Sequence, residues 1–248
     1  MSKSINIFGF HSVESLLRTN PESIIKVLVQ INRKDKRVND LINMLTSQKI
    51  TFLPTDRNDL DRIAKGEVHQ GVISEVILPP LLNEESLFKS IIDNSLKPLI
   101  LVLDSIQDPR NLGACLRSAN AAGVDYVIIN KDGSAPINAV VHKTSAGAIN
   151  SLKIFHVTNL SRTIKEMQKR GIWVIGLDGN SKSTIYDVDL TDATAVVMGS
   201  EGKGIRQLIK KTCDQIVTIP MSGNIESLNV SVATGIALFE SKRQRESS

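Results

Sequence analysis

The sequence predicts an α/β protein: a parallel sheet flanked by helices, preceded by a smaller α/β module. Two observations carry this. Continuous apolar runs at 98–104, 126–129, 172–177 and 193–198 alternate with helical patterns, as strands buried on both faces do. A separate mixture of shorter strands and helices precedes them and stops at Pro79-Pro80.

In the first part, residues 5–9 lead into a helical pattern at 12–18, and the apolar stretch 25–31 reads as a strand. The run Arg33, Lys34, Asp35, Lys36, Arg37 follows, then a periodic segment with Leu41, Ile42 and Leu45 on one side. A strand at 49–53, a helix near 59–64 and a β-rich strand at 72–77 complete the module. The expected division is 1–79 as an N-terminal module, 80–97 as a linker and 98–248 as the main body.

In the main body the strand 98–104 ends in an acid and a small-residue helix spans 112–122. Strands at 126–129 and 152–157 follow, then a helix at 160–170 and strands at 172–177 and 193–198. A short helix at 205–211, a strand at 215–219 and a terminal helix at 227–239 close the pattern, leaving 240–248 expected to fray. A sheet of this type binds ligands at the carboxyl ends of its strands, where the unusual loops of this sequence fall.

Composition narrows the function classes. The formal net charge of +4 is a mild basic excess, which permits RNA without demanding it. Cys115 and Cys213 have no ligand spacing and read as free thiols, and the four histidines lack metal spacing. No apolar run is long enough to span a bilayer, so a cytoplasmic location is expected.

Three segments carry the chemistry. In 107–119, Asp108 before Pro109 marks a helix start. Arg117 is then the only charged residue from Asn111 to Ala122, among small side chains. A cation in such a setting calls for an anion: either a ligand or a structural partner such as Asp104 or Asp125. In 197–204, Gly199, Gly202 and Gly204 form a loop between a buried strand and a helix. Its order fits neither a dinucleotide fingerprint nor a P-loop. In 219–233, Pro220 and Gly223 make a turn before a helix with Leu228, Val232, Ile236 and Phe239 as its expected apolar face. Ser227 and Asn229 lie at its first turn, as caps or as ligand contacts.

Together these segments resemble the signature motifs of the SpoU, or TrmH-like, RNA ribose methyltransferases of the SPOUT superfamily. Asn111, Gly113 and Arg117 match the first motif, Gly199, Glu201, Gly202 and Gly204 the second, and residues 220–233 the third. The resemblance covers nearly the whole chain and is strongest to members that methylate a guanosine ribose in bacterial 23S ribosomal RNA. It implies a C-terminal trefoil knot, which periodicity does not show, and a homodimer with its cofactor cleft near the subunit interface. It also implies S-adenosyl-L-methionine as methyl donor, held near Gly199, Ile219 and Leu228, with no metal. Arg117, Asn111, Glu201, Asn229 and Ser227 are the implied catalytic set, with Arg117 acting in its own chain or across the dimer. His11, His69 and the basic run 33–37 are further candidates for RNA contact. Transfer RNA, another ribosomal nucleotide, or a non-catalytic role in ribosome assembly are the alternatives. The glycine fingerprint of a dehydrogenase and the carboxylate cluster of a metal-dependent nuclease do not occur in the sequence.

Overall fold

A computed structural model describes residues 4–33, 35–77, 82–92, 97–223 and 227–247. The chain divides into two compact units, 1–80 with 137–151, and 81–136 with 152–248. Lys34, the Pro79-Pro80 stop and residues 224–226 of the third motif lie outside the described residues.

The first unit contains β1 (Ser4–Phe8), α1 (Phe10–Thr19), β2 (Ile24–Gln30), α2 (Lys36–Ser47), β3 (Phe52–Thr55), α3 (Arg57–Ala64) and β4 (Val72–Ile77). Its sheet is mixed, in the order β1-β4-β2-β3, with β2 and β3 parallel and the other pairs antiparallel. Phe10, Val13 and Leu17 of α1 meet Val38, Leu41 and Leu45 of α2 and strand residues Val27, Val29 and Val72 in one buried cluster. Asp35 starts α2 by accepting from the Val38 N–H at 3.1 Å.

The basic run is a structural device. The guanidinium groups of Arg33 and Arg37 lie 5.1 and 4.8 Å from the Phe10 ring centroid. Arg33 pairs with Asp35, and Arg37 pairs with Glu14 at 3.1 Å. These two cations already have partners within the unit. His69 is buried: its Nδ1 accepts from the Gly71 N–H at 3.0 Å, so Nε2 carries the proton toward Asp61 at 2.8 Å. His11 remains exposed.

The second unit opens with β5 (Leu82–Asn83), α4 (Glu84–Ile92), β6 (Leu99–Leu103), α5 (Pro109–Ala122) and β7 (Tyr126–Asn130). The chain then passes through α6 (Ala139–Thr144), in the segment grouped with the first unit. It returns with β8 (Lys153–Val157), α7 (Leu160–Gln168), β9 (Trp173–Leu177), β10 (Thr194–Met198), α8 (Gln207–Thr212), β11 (Gln215–Val217) and α9 (Val230–Glu246). All seven strands pair in parallel, in the order β11-β9-β10-β6-β7-β8-β5. Every residue of β6, β7 and β10 is buried, as their apolar runs require.

Within the stretch expected to be a linker, β5 is an edge strand and α4 places Leu87 and Ile91 in the core of this unit. Their apolar spacing outweighs the mixed charge around them.

The terminal helix departs from expectation in two ways. Val230, Thr234, Ala237 and Leu238 are its buried side, whereas Val232 and Phe239 are about half exposed. Small side chains decide this, because α9 packs closely on α5, where Cys115 Sγ meets Thr234 Oγ1 at 3.4 Å. The helix also continues past the expected end to Glu246: Glu240 pairs with Arg243 at 2.8 Å, and Arg245 donates to the carbonyls of Leu190, Lys97 and Asp192.

Strand order reverses between β6 and β10, which is where a doubly wound sheet opens a crevice. Their ends are tied by the Asp104 N–H donating to the Met198 carbonyl at 2.8 Å.

Candidate active site

Directly beyond β10 the chain turns through Gly199 to Gly204. Ser200 and Gly204 exchange backbone hydrogen bonds at 3.1 and 2.8 Å, closing the loop on itself. A Cβ on Gly199 would lie 2.0 Å from the Gly204 carbonyl carbon and 2.1 Å from the Ile205 nitrogen, so only glycine fits. Gly202 and Gly204 take positive φ, 75° and 64°, which makes the turn.

The loop separates two cavities. The first, about 630 Å³, is lined by apolar side chains of Leu177, Met198, Ile219 and Leu228, the polar groups of Asp178, Asn180 and Ser227, and the glycine loop. The second, about 550 Å³, combines the polar groups of Ser105, Gln107, Asp108, Asn111, Arg206 and Gln207 with the apolar side chains of Ile106 and Ile205. Ser200, Glu201, Lys203, Gly204 and Val230 border both. Glu201 is the one carboxylate common to the two.

Side chains from three distant segments meet at this divide. Asn111, in the first turns of α5, donates from Nδ2 to Glu201 Oε2 at 2.9 Å. Its Oδ1 accepts from Asn229 Nδ2 at 3.0 Å. Asn229 Oδ1 in turn caps α9 by accepting from the Ser231 N–H at 2.9 Å. The helix cap thus orients an amide, and that amide orients the carboxylate. Glu201 Oε1 keeps no partner among the described residues.

Of the residues singled out in the sequence, Asn111, Glu201 and Asn229 are joined, and Gly199, Ile219, Leu228 and Ser227 line the first cavity. Arg117 lines neither. It is exposed farther along α5 and pairs with no carboxylate among the described residues. The suggested partners are engaged elsewhere: Asp125 accepts from the Leu99 N–H, and Asp104 holds Arg206.

The structure adds residues that motif reading passed over. Asp178 pairs with Lys210 at 2.9 Å and faces the first cavity. Burial raises its carboxyl, but the Lys210 ammonium and the Asn180 N–H outweigh that and leave it below the ordinary value. Arg206, directly after Ile205, faces the second cavity from a salt bridge with the wholly buried Asp104 at 2.7 Å. An acid closing an apolar strand was the available signal for a buried ion pair. Burial disfavours the thiolate of either cysteine, pushing the Cys115 thiol up to about 11 and the Cys213 thiol up to about 12.

Comparison with known proteins decides what this arrangement belongs to. The SpoU rRNA Methylase family model matches residues 98–239. The chain belongs to the SpoU rRNA methylase family. A second model, RNA 2′-O ribose methyltransferase substrate binding, matches residues 6–80.

As a family member the protein is an RNA 2′-O-ribose methyltransferase. It is 47% identical over 243 residues to the 23S rRNA (guanosine-2′-O-)-methyltransferase RlmB of Haemophilus ducreyi, covering 98% of each chain. It is 45% identical to the RlmB of Escherichia coli K12, covering 96% of this chain and 98% of that one. Among solved structures, the SpoU methyltransferase AviRb from Streptomyces viridochromogenes, in complex with AdoMet, shares the fold. Its TM-score is 0.81 at 23% identity, over 99% of this chain and 91% of that one. The A. aeolicus TrmH/SpoU tRNA modifying enzyme gives a TM-score of 0.57 at 32% identity, over 66% of this chain and 85% of that one.

Proposed function

We propose that this family member transfers a methyl group from S-adenosylmethionine to the ribose 2′-hydroxyl of a guanosine in 23S ribosomal RNA. End-to-end similarity to enzymes named for that reaction supports the substrate. The observation that carries the mechanism is the pair of cavities divided by Glu201 and held in register through Asn111 and Asn229.

The first cavity suits adenosylmethionine. Its volume falls within the roughly 300–1,000 Å³ usual for small-molecule sites. Leu177, Met198, Ile219 and Leu228 offer apolar surface to a purine, while Asp178, Asn180 and Ser227 offer polar partners for hydroxyl and ammonium groups. Gly199 lets the loop that borders this cavity close on its own backbone, which any Cβ would obstruct. When bound, this group supplies an electrophilic methyl on a sulfonium.

The residues of the chain then have divided tasks. The second cavity holds the target nucleotide, with its 2′-hydroxyl turned toward the divide. Glu201 takes the hydroxyl proton as attack proceeds, with Asn111 fixing one carboxylate oxygen and leaving the other open. Asn229 fixes Asn111. Arg117 is a donor without acceptor capacity, so it does not take the proton. It binds the target phosphate and stabilises charge developing on oxygen.

Because Arg117 lies outside both cavities, the reading has it reach the site of a partner in a homodimer. The exposed Val232 and Phe239, at i, i+7 on α9, supply apolar surface for such a contact. The trefoil knot belongs to the same reading, supported by the family resemblance and the shared fold.

The test is incubation with methyl-labelled adenosylmethionine and undermethylated total RNA, followed by mapping of the label. A 2′-O-methylated guanosine in 23S RNA is expected. Label in transfer RNA would overturn the target, and label on a base would overturn the reaction.

A further inference from the structure

We propose that the second cavity is the guanine pocket of the target nucleotide and that Arg206 is the residue that reads the base. The inference rests on the reaction proposed above and names the side chains that make it selective.

Arg206 is held in an uncommon way. Its Nε donates to Asp104 Oδ1 at 2.7 Å and its backbone N–H to Asp104 Oδ2 at 2.9 Å. Ser105 Oγ adds a third donor to the same carboxylate at 3.2 Å. Asp104 is wholly buried, yet the Arg206 side chain is 54% exposed. The buried end therefore fixes the plane of the guanidinium, while its two terminal nitrogens have no partner among the described residues, and Arg206 lines the cavity. A buried ion pair adds little net stability over an apolar replacement, so stability alone does not account for it. A planar donor fork with fixed orientation is the group that distinguishes guanine, whose O6 and N7 are both acceptors, from adenine, whose N6 is a donor.

The rest of the lining fits a base edge better than a phosphate. Asp108 Oδ1 caps α5 through the Arg110 N–H at 2.8 Å, which leaves Oδ2 open to accept from guanine N1–H or N2–H. Gln107 and Gln207 offer both donors and acceptors. Asp108 and Glu201 border the cavity together with Lys203 and Arg206, so its charges balance rather than give the net positive field a phosphate calls for, whereas a base edge needs this alternation of donors and acceptors. The pocket also adjoins Glu201, where the ribose of the same nucleotide must lie.

The test uses synthetic RNA spanning the mapped site, with guanosine, 7-deazaguanosine or adenosine at the target position. Wild-type kcat/KM is expected to fall about 5- to 150-fold for adenosine and about 5-fold for 7-deazaguanosine, which lacks only the N7 acceptor. Arg206→Gln is expected to lose about the same 5- to 150-fold on guanosine, to show no further loss on 7-deazaguanosine and to bind adenosylmethionine as wild type does. Equal wild-type rates on guanosine and 7-deazaguanosine would overturn the assignment without any variant. So would an Arg206→Gln enzyme that keeps its preference for guanosine. If that enzyme also showed a shallower salt dependence of KM, Arg206 would be a phosphate contact; if it lost adenosylmethionine binding, it would be a clamp for the glycine loop. Failure of the wild type to methylate the guanosine RNA at all would overturn the reaction itself.

Discussion

Asn111 and Glu201 stand 90 residues apart in the chain, and their side chains meet at 2.9 Å, with the Asn111 amide donating to the Glu201 carboxylate. Glu201→Gln keeps this contact, because a glutamine carbonyl accepts from the same amide, but it cannot take a proton. We expect kcat to fall by about 10²- to 10⁴-fold with adenosylmethionine affinity unchanged, as measured by single-turnover transfer and calorimetry. Full retention of kcat would reduce Glu201 to a support for the loop.

Arg117→Lys keeps the charge but loses the planar fork. Transfer is expected to fall sharply while RNA affinity holds, and full activity in a filter-binding and transfer assay would remove Arg117 from the mechanism. Refolding a mixture of Arg117→Ala and Glu201→Gln chains asks where it acts. If Arg117 serves its partner, half the dimers regain one intact site, giving about a quarter of wild-type activity. Action within its own chain would leave the mixture inactive.

Gly199→Ala forces a Cβ to within 2.0 Å of backbone that cannot yield. The loop must shift, at a cost of about 1–3 kcal/mol or more, and adenosylmethionine affinity should fall at least about tenfold. Gly202→Ala is the contrast, since its Cβ meets nothing within 4 Å and only the positive φ opposes it. Equal effects of the two substitutions in thermal melts and binding titrations would contradict the closed loop.

His142, in α6, is buried with no partner for Nε2 among the described residues, and burial lowers its pKa from 6.5 to about 4. The unfolded chain takes up this proton below pH 6.5 and the folded chain only near pH 4. The contribution is thus fully present above 6.5 and is lost as pH falls through that window. Between about pH 7.5 and about pH 5, wild type should lose about 2 kcal/mol more stability than His142→Leu, as read from urea unfolding. Equal losses would show that the imidazole is hydrated.

Where local pattern and burial coincide, the fold was legible. The runs at β6, β7 and β10 are buried throughout, as their unbroken apolar character requires, and Asp108-Pro109 begins α5 with the cap it announces. The glycine loop was legible for a similar reason, since backbone crowding restricts residue type directly. Charged residues were less so. Arg33 and Arg37 look like a patch in sequence, yet both lie over Phe10 and pair with acids, and nothing local reveals an aromatic ring from another helix.

The sequence by itself therefore determined the buried apolar strands, the glycine turns and the motifs that mark the family. These depend on a residue's own size, backbone freedom and polarity. Only the tertiary structure decided which polar groups meet: Asn111 with Glu201 and Asn229, and Asp104 with Arg206 rather than Arg117. It also decided which side of α9 is buried, turning small residues inward and leaving Val232 and Phe239 outside. Periodicity records that a helix has faces. The shape of the neighbour it packs against, supplied by α5 more than a hundred residues earlier, selects among them.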